Sequence, residues 1–419
     1  MRKRSKRLQA LPLATACLAA IALVAPLNCA QASKAYSVLY AFCQQTGCAD
    51  GSDPVASLVA DKAGNLYGTT SLGGANASGS IFEITPSGTE SVLYSFCAQA
   101  NCADGSYPDS TLIRDKAGNL YGTTANAGGG GGGTVFKLTP GGTYSVLYSF
   151  CSVTNCLDGD YPEPGVVMDG KGNLYGVTGI GGAFNYGTVF ELAPNGTESV
   201  LHSFGPPNTA DGLNPQGGLI RDGKGNLYGT TAAGGANYNC TQIFGTCGTV
   251  FEISAKGGYT VRYAFCPQTA CSDGAIPLGA LVEDKGGNLY GTTSTGGLFN
   301  CSGAGCGTVF ELAPNGAESV LYTFCPQTPC SDGSSPKAGL LAGTGGVFYG
   351  TTAGGGTNNL GTVFELAGTK ETVLHSFDSK GSPDACLISV KGHLYGTATE
   401  TGTNGGEVFK FRTLGGHAR

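Results

Sequence analysis

Short apolar runs recur along the chain after residue 33. Each repeat has four of them, seen first as "SLVAD", "NLYGTT", "SIFEIT" and "SVLYSF". Runs of this length that are rich in Val, Leu, Thr, Tyr and Phe and are separated by Gly, Asn and Pro are typical of β-strands. The sequence beyond residue 33 has no helical periodicity of useful length. The pattern therefore predicts an all-β protein.

A Tyr-Gly dipeptide marks seven copies of one unit, spaced 46 to 62 residues apart. The tyrosines are Tyr67, Tyr121, Tyr175, Tyr228, Tyr290, Tyr349 and Tyr395. Four antiparallel strands in a unit of about 50 residues, repeated between four and eight times, are the signature of a β-propeller with one unit per blade. We predict a seven-bladed β-propeller over residues 33–413, with strands a to d in each blade.

The decapeptide "DKAGNLYGTT" stands at residues 61–70 and again at 115–124. Its first half predicts a tight hairpin turn, in which Asp61 bonds the turn backbone and both Gly64 and Asn65 adopt positive φ. Its second half is the return strand. The repetition is thus explained by one hairpin copied around a ring.

The two ends of the repeat array are complementary. The last unit has strand a at 386–390, b at 393–398 and c at 407–412, and no d strand follows. Near the N-terminus, "SVLYAF" at 37–42 matches the d strands of the other units. We expect this strand to pair with strand c of blade seven and to close the ring, which would remove free sheet edges.

The unit "GNLYGTT…GG…GTVFELxPxGxxSVLYSF" resembles the GloVer tandem repeat of exported bacterial surface proteins over nearly all of residues 37–413. Strand for strand it is also similar to propeller repeats of the NHL type. The first resemblance implies an exported protein of the cell surface. Neither resemblance implies a particular reaction, because one fold hosts many functions.

The N-terminus has the features of a secretory signal peptide over residues 1–32. Five basic residues in "MRKRSKR" precede an apolar run, and "AQA" precedes Ser33. Cleavage there would leave 18 basic and 29 acidic residues and lower the net charge from −6 to −11. We therefore expect a secreted, periplasmic or extracellular protein with no nucleic-acid partner, no membrane span after cleavage, a monomeric state and a short tail at 414–419.

Fourteen of the 17 cysteines form close sequence pairs. In an exported chain such pairs predict local disulfides, each contributing about 2 kcal/mol by closing a small loop. Zinc ligation is the alternative, although no histidine accompanies the pairs. Cys386 remains unpaired and is expected to be a buried, inert thiol on inner strand a of blade seven. The predicted pairs are Cys43/Cys48, Cys97/Cys102, Cys151/Cys156, Cys240/Cys247, Cys266/Cys271, Cys301/Cys306 and Cys325/Cys330.

The b–c and d–a loops are long and varied, whereas the a–b and c–d turns are short and uniform. Variable loops on a rigid scaffold commonly carry binding sites, so we expect any site on the b–c/d–a face. The b–c loops of blades three to five also carry aromatic rings and amides, which could bind a glycan or a protein or could fold back to cover blade ends. These candidate residues are Phe184, Asn185, Tyr186, Tyr238, Asn239, Phe244, Phe299 and Asn300.

Other candidate chemistry is sparse. Six loop aspartates each precede a glycine and could ring the disc as cation ligands or make local turns: Asp50, Asp104, Asp158, Asp211, Asp273 and Asp332. His202 and His375 replace the tyrosine of other d strands, and no Ser/His/Asp or Cys/His grouping is visible. We therefore expect a non-catalytic binding or surface-interaction propeller that needs no metal or cofactor. The alternative is a propeller enzyme acting on polysaccharide, as a lyase or hydrolase, or a quinone-dependent dehydrogenase.

Overall fold

The computed structural model describes residues 36–206, 209–235, 247–267, 271–297, 301, 305–378, 381–399 and 405–412. Within these residues the chain forms seven four-stranded antiparallel sheets, which are the blades of a β-propeller. The predicted signal peptide and the predicted tail lie outside the described residues. None of the helices in the described ranges is long and apolar enough to cross a membrane.

Strands are numbered β1 to β30 along the chain. The inner strands (a) are β2 (Val59–Ala60), β6 (Ile113–Arg114), β10 (Val166–Met168), β15 (Ile220–Arg221), β20 (Val282–Glu283), β24 (Leu341–Ala342) and β28 (Ile388–Val390). The next strands (b) are β3 (Leu66–Thr70), β7 (Leu120–Thr124), β11 (Leu174–Thr178), β16 (Leu227–Thr231), β21 (Leu289–Thr293), β25 (Val347–Thr352) and β29 (His393–Ala398). Strands c are β4 (Ser80–Ile84), β8 (Thr134–Leu138), β12 (Thr188–Leu192), β18 (Thr249–Ile253), β22 (Thr308–Leu312), β26 (Thr362–Ala367) and β30 (Glu407–Arg412). The outer strands (d) of blades one to six are β5 (Glu90–Ser95), β9 (Tyr144–Ser149), β13 (Glu198–Ser203), β19 (Tyr259–Ala264), β23 (Glu318–Thr323) and β27 (Lys370–Ser376).

The outer strand of blade seven comes from the start of the propeller sequence. Strand β1 (Tyr36–Ala41) pairs antiparallel with β30, so that Tyr36 lies opposite Phe411. Blade seven also contacts blade one directly, because the Thr397 hydroxyl donates a hydrogen bond to the Ala56 carbonyl at 3.0 Å. The seventh sheet therefore contains both ends of the repeat array.

The inner strands are shorter than the sequence suggests, with only two or three residues in the ladder. The preceding residues lie at the crowded axis and contact the neighbouring blade instead of strand b. Thr111 of blade two, for example, forms a parallel bridge with Gly165 of blade three. The Cys386 amide likewise donates to the Ser57 hydroxyl at 3.0 Å. Contacts between blades at the axis therefore replace part of each inner ladder.

The Tyr-Gly dipeptide of strand b is explained by core packing. A Cβ placed on Gly68 would lie 2.5 Å from Cζ of Phe82, which is fully buried on strand c. It would also lie 2.9 Å from Cδ2 of Leu58, which directly precedes the inner strand β2. Such distances leave no room for a side chain, so glycine is needed because of sterics and not because of its backbone angles. The same glycine–phenylalanine contact recurs at Gly122, Gly176, Gly229, Gly291, Gly350 and Gly396.

The repeated hairpin turn has the predicted aspartate at its centre. Asp61 Oδ1 accepts hydrogen bonds from the amides of Gly64 and Asn65 at 2.8 and 2.9 Å. Burial alone would raise the pKa of Asp61, but these bonds outweigh it and lower the pKa. Gly64 has a φ of +96°, whereas the prediction of positive φ at Asn65 is wrong. Asn65 instead donates its side-chain amide to Asp61 Oδ2 at 3.0 Å, which the ordinary backbone geometry permits.

The b–c and d–a loops lie on one face of the disc, as the sequence predicted, and we call it the loop face. In blade one the two loops are joined by a bridge between Ser52 and Leu72. In blade four the same contact extends to a two-stranded ladder of β14 (Gly212–Leu213) and β17 (Ala233–Gly234). Among the described residues, three d–a loops also contain a 3-10 turn, at Thr46–Cys48, Ala100–Cys102 and Thr154–Cys156. Another 3-10 turn, Thr344–Gly346, lies on the opposite face, which we call the turn face.

Candidate functional site

A proline precedes each inner strand and joins neighbouring blades. A Cβ on Gly79, just before strand c of blade one, would lie 2.4 Å from Cδ of Pro108 in blade two. This close contact positions the start of the inner segment of each blade against the preceding blade. The seven prolines are Pro54, Pro108, Pro162, Pro215, Pro277, Pro336 and Pro383.

The residue after each proline is held in place from both sides, as blade two shows. Before Pro108, Tyr107 has a φ of 55°, and its amide donates to the Ser78 carbonyl of blade one at 3.1 Å. After Asp109, the Ser110 carbonyl accepts a hydrogen bond from the Thr69 hydroxyl of blade one at 3.1 Å. The backbone on either side of Asp109 is therefore anchored to blade one, and its side chain is presented with little freedom.

The seven residues that follow these prolines form what we call the mouth ring. They surround the loop-face end of an axial cavity of about 390 Å³ that the inner segments of all seven blades line. Six of them line the cavity itself, and Glu163 acts electrostatically on Asp109. Many positions of the repeat keep the same residue type in most blades, but the residue type at this position differs in nearly every blade. In blade order they are Val55, Asp109, Glu163, Gln216, Leu278, Lys337 and Asp384.

Four carboxylates from four consecutive blades make one side of this mouth acidic, and we call them the acidic arc. Three of them are mouth-ring residues, namely Asp384 of blade seven, Asp109 of blade two and Glu163 of blade three. The fourth is Asp53 of blade one, which directly precedes Pro54. Burial, followed by the charges of Glu163 and Asp53, raises the pKa of Asp109 to about 7. Burial also raises the pKa of Glu163, and the hydrogen bond from Tyr161 opposes this only in part. Burial and the neighbouring carboxylates thus disfavour the charged forms of Asp109 and Glu163, and a bound cation would stabilise those charged forms.

The rest of the mouth ring has a different character. Blades four and five present the amide of Gln216 and the apolar side chain of Leu278. Blade six presents Lys337, whose Nζ lies 3.4 Å from Oδ2 of Asp384. Burial raises the pKa of Asp384 more than this ammonium lowers it, so the ion pair is a weak one. One cation thus faces four carboxylates, and the mouth favours a ligand with positive charge.

The predicted aromatic and amide residues have three different outcomes. Phe184 is 47% exposed on the loop face, whereas Tyr186 is partly buried and packs against the core between blades three and four. Asn185 has a φ of 62°, and its Oδ1 accepts a hydrogen bond from the Gly181 amide at 3.2 Å, so it holds the loop turn. The other candidates lie outside the described residues: Tyr238, Asn239, Phe244, Phe299 and Asn300.

The loop aspartates make local turns, which was one of the two predictions for them. In blade two, Asp104 is fully buried and accepts hydrogen bonds from the Tyr94 hydroxyl at 2.7 Å and the Ala98 amide at 2.9 Å. Asp50, Asp158, Asp273 and Asp332 accept from a d-strand tyrosine in the same way. At Asp211 the donor is His202, with Nε2 3.1 Å from Oδ2, so this histidine replaces tyrosine in a structural contact.

Six of the seven predicted disulfides are present between described cysteines. They join Cys43 to Cys48, Cys97 to Cys102, Cys151 to Cys156, Cys266 to Cys271, Cys301 to Cys306 and Cys325 to Cys330. The last two approach each other, with Cys301 Sγ 3.9 Å from Cys330 Sγ. Sulfur atoms bonded to each other are not thiolates, so this cluster is not a zinc site as it stands.

The seventh predicted pair, Cys240/Cys247, differs from the other six because only Cys247 lies among the described residues. Cys247 is 1% exposed and belongs to the core between blades four and five, which also contains Phe265 and Leu281. Its sulfur is disulfide-bonded, and its carbonyl accepts a hydrogen bond from the Ile276 amide at 2.8 Å. The bonded state of Cys247 agrees with the sequence, whereas its pairing with Cys240 is not among the six disulfides and stays a prediction.

Cys386 is the free cysteine of the described residues, and it is only partly buried. It lines the axial cavity two residues before β28 and is otherwise enclosed by protein. Burial raises the pKa of its thiol, and a raised pKa lowers thiolate reactivity. The prediction of a fully buried thiol is therefore wrong, and the predicted low reactivity, which the raised pKa supports, stays a prediction.

Comparison with known families matches a repeat model to residues 28–244, 208–328 and 302–419. The chain belongs to the Gloeobacter/Verrucomicrobia repeat family. The match spans every blade, which agrees with the resemblance that the repeats carry. Among curated proteins, none matches this chain.

Solved structures with a similar fold include several enzymes. A puromycin hydrolase is 12% identical, with a TM-score of 0.54, over 88% of this chain and 54% of its own length. A luciferin-regenerating enzyme is 14% identical, with a TM-score of 0.45, over 74% of this chain and 92% of its own. A putative 6-phosphogluconolactonase from Bacteroides uniformis is 13% identical, with a TM-score of 0.47, over 85% and 95%. At 12% identity the likeness to the puromycin hydrolase shows the propeller fold alone.

The mouth ring was missed by the sequence analysis, although a signal for it exists. When the seven units are aligned on Tyr-Gly, every unit has a proline before strand a, and the residue after it changes from blade to blade. A position that varies between two repeated features, here the proline and strand a, is not constrained by the core packing that keeps the other positions constant. That variation indicates exposure to the axis, where side chains from all blades converge.

Proposed function

We propose that this protein is an exported binding propeller whose ligand is a glycan with free amino groups, bound at the mouth ring on the loop face. The observation that carries the proposal is the acidic arc. Four carboxylates in consecutive blades, only one of them paired with a lysine, offer a fixed site for an ammonium group. Local disulfides are typical of chains that act in an oxidising compartment, which supports export.

Carboxylates also suit the rest of a sugar ring. Each carboxylate oxygen accepts hydrogen bonds from hydroxyl groups, and the Gln216 amide can both donate and accept. Phe184, exposed on the same face, offers an apolar surface of the kind that packs against sugar rings. Because the backbone around the mouth ring is anchored to neighbouring blades, little ordering would be needed on binding.

The test compares two trisaccharides that differ only in charge. A chitosan trimer carries free amino groups, and the fully acetylated chitin trimer does not. We expect the chitosan trimer to bind at least 10-fold more tightly in isothermal titration calorimetry, because its ammonium groups pair with the acidic arc. Equal affinities would show that the arc's charge is not used, and no binding of either would favour a protein partner over a glycan.

Variants locate the site. Glu163→Gln and Asp109→Asn keep size and polarity but remove charge, and each should weaken chitosan binding by about 10-fold, or about 1.4 kcal/mol. Glu191→Gln is the matched control, because it removes the same charge from strand c of blade three, away from the mouth ring. A similar loss in all three would indicate a long-range charge effect without a specific site.

A second function, glycoside hydrolysis, is favoured by one specific observation. Asp109, with a pKa near 7, lies under the influence of the Glu163 charge. A carboxyl group with a raised pKa near a second carboxyl group is a usual feature of glycosidases, in which the first acts as the general acid. Incubating the chitosan trimer with the protein and measuring new reducing ends tests this function, and loss of any such activity in Asp109→Asn would assign it to the mouth.

A further inference from the structure

On the turn face, the tyrosine of each Tyr-Gly dipeptide lies near the junction of two blades, and in three blades a cation of the chain covers its ring. The Arg114 guanidinium of blade two lies 5.8 Å from the ring centre of Tyr67 in blade one. Lys137 lies 5.6 Å from the ring centre of Tyr121, and Lys410 lies 5.6 Å from that of Tyr395. The cation comes from inner strand a of the next blade at Tyr67 and from strand c of the same blade at Tyr121 and Tyr395, so this tyrosine attracts cations from two directions.

Blade six lacks the residue that would fill this position over blade five. Arg114 is the second residue of β6, and the second residue of β24 is Ala342. Both pair with the residue before the tyrosine of strand b, since Arg114 lies opposite Leu120 and Ala342 opposite Phe348. A methyl group thus stands where blade two has a guanidinium.

The groove between blades five and six is correspondingly wide. Its volume is about 750 Å³, compared with about 130 Å³ for the groove that Arg114 lines between blades one and two. The groove between blades four and five, where Arg262 pairs with Glu252 at 3.0 Å, has about 260 Å³. Blade six also replaces the Asp-containing turn with the Thr344–Gly346 turn, which removes side chains from the groove edge.

The wide groove retains the chemistry that attracts a cation. Its apolar wall includes the rings of Tyr290 and Phe348, whose centres lie 4.6 Å apart. The Tyr290 hydroxyl oxygen lies 3.1 Å from Asp284 Oδ2 and 3.3 Å from Glu311 Oε1, so its single proton is donated to one or the other carboxylate. Glu283 also lines the groove, so three carboxylates face the single charge of Lys285 there.

We propose that this groove binds the guanidinium group of an arginine side chain from another polypeptide, in the position that Arg114 occupies over Tyr67. A guanidinium is planar, so it can stack on the Tyr290 ring while its N–H groups reach the carboxylates. The volume accommodates the side chain together with flanking backbone. The site lies on the turn face and does not depend on the mouth ring.

The experiment uses blocked tripeptides of the form Gly-X-Gly, with neutral ends, titrated calorimetrically into the full chain at low salt. With X as arginine, binding should be at least 10-fold tighter than with X as citrulline, which has the same shape without the charge. Arginine amide tests whether a free amino acid derivative binds as well as a peptide does. Equal binding of the arginine and citrulline peptides, or no binding of either at millimolar concentration, overturns the proposal.

Two variants fix the position of the site. Ala342→Arg supplies the side chain that blade two already has, so it should fill the groove and weaken arginine-peptide binding at least 10-fold. Ala60→Arg, at the same strand position of blade one, is the control and should leave binding unchanged. Glu311→Gln should weaken binding several-fold without adding bulk, which keeps the test valid if Ala342→Arg disturbs folding. Unchanged affinity in both Ala342→Arg and Glu311→Gln contradicts the assignment, and Glu163→Gln should have no effect here.

Discussion

Two rings of residues, one position from each blade, have opposite properties. The glycine ring on the b strands is the same in all seven blades, because each member lies against a phenylalanine of strand c. The mouth ring lies nearer the axis and contains valine, aspartate, glutamate, glutamine, leucine and lysine. The backbone is held in place in both rings, so the difference in how much the residue type varies reflects the surroundings of the side chain. Close packing in the core allows only glycine, whereas the open axial cavity accepts many residue types.

The largest expected effect comes from breaking the glycine ring. Gly176→Ala would place a Cβ 2.6 Å from Cζ of Phe190, which is fully buried and cannot withdraw. We expect a loss of about 3 kcal/mol in the free energy of unfolding, at the upper end for overpacked cores. Chemical denaturation measures it. Gly223→Ala is the control, because a Cβ there meets nothing within 4 Å, and its stability should change little.

The next effect concerns the hairpin turns of the turn face. Asp115 accepts hydrogen bonds from the amides of Ala117 and Asn119, both at 2.9 Å, and from the Asn119 side chain at 2.7 Å. Asp115→Ala should cost about 2 kcal/mol, since bonds to a charged acceptor are strong. Lys116→Ala in the same turn is the control and should cost little.

The pH dependence of that variant has a definite sign. Hydrogen bonds from Asn119 lower the pKa of Asp115 against the raising effect of burial. The unfolded chain therefore binds this proton more readily than the folded one, so the contribution is present above pH of about 4 and is lost on acidification. The difference between the wild type and Asp115→Ala should shrink below pH of about 3, and a constant difference would argue against the charged bonds.

A smaller effect of opposite sign is expected at the outer rim. Burial and the charge of Asp158 raise the pKa of Glu198, the first residue of β13, to about 7. Because the folded state holds this proton more tightly than the unfolded state, the stability from this group is lost as pH rises from about 4.5 to 7. Glu198→Gln should therefore stabilise the protein at pH 8, by about 1 kcal/mol after allowing for partial solvent exposure.

Thermal unfolding at two pH values checks this prediction. At pH 5 the two proteins should unfold at similar temperatures, since Glu198 is then largely protonated in the folded state. Glu191→Gln, which removes the same charge from strand c of blade three, should not stabilise at pH 8. Stabilisation by both variants would instead indicate a general effect of net negative charge.

The smallest change in stability is expected in the mouth ring. Asp109→Val introduces the residue that blade one already has at Val55, on backbone held by the same contacts. We expect the unfolding free energy to change by no more than about 1 kcal/mol, with a gain above pH 7 where Asp109 would be charged. Chitosan binding should nevertheless be lost. A large loss of stability would mean that the mouth ring is structural, like the glycine ring.

The parts of the fold that sequence predicted well are those that a single blade specifies. The Asp61 turn, the strand b return and the loop disulfides depend on neighbours within a few residues, so each unit contains its own signal. The short inner ladders could not be predicted in this way. Their length depends on contacts such as Thr111 with Gly165, which exist only once seven blades meet at the axis.

The same reasoning explains the mixed outcome for the candidate site. Aromatic residues in loops were noticed because they interrupt the repeat, yet Tyr186 packs against the core and only Phe184, among the described candidates, is clearly displayed. The acidic arc gave no local motif, because its four members come from four blades that are some 50 residues apart in sequence. Only the closed geometry brings Asp384 and Asp53 together.

Every disulfide with both of its cysteines in the described part of the chain joins residues that are five positions apart. None of these six bonds ties one blade to a distant one, so forming them needs no long-range search for partners. It also means that a blade copied or deleted during evolution takes its own cross-link with it and leaves no orphaned cysteine elsewhere. A repeat with only local disulfides can therefore change its number of copies without changing how the cysteines of the other blades pair.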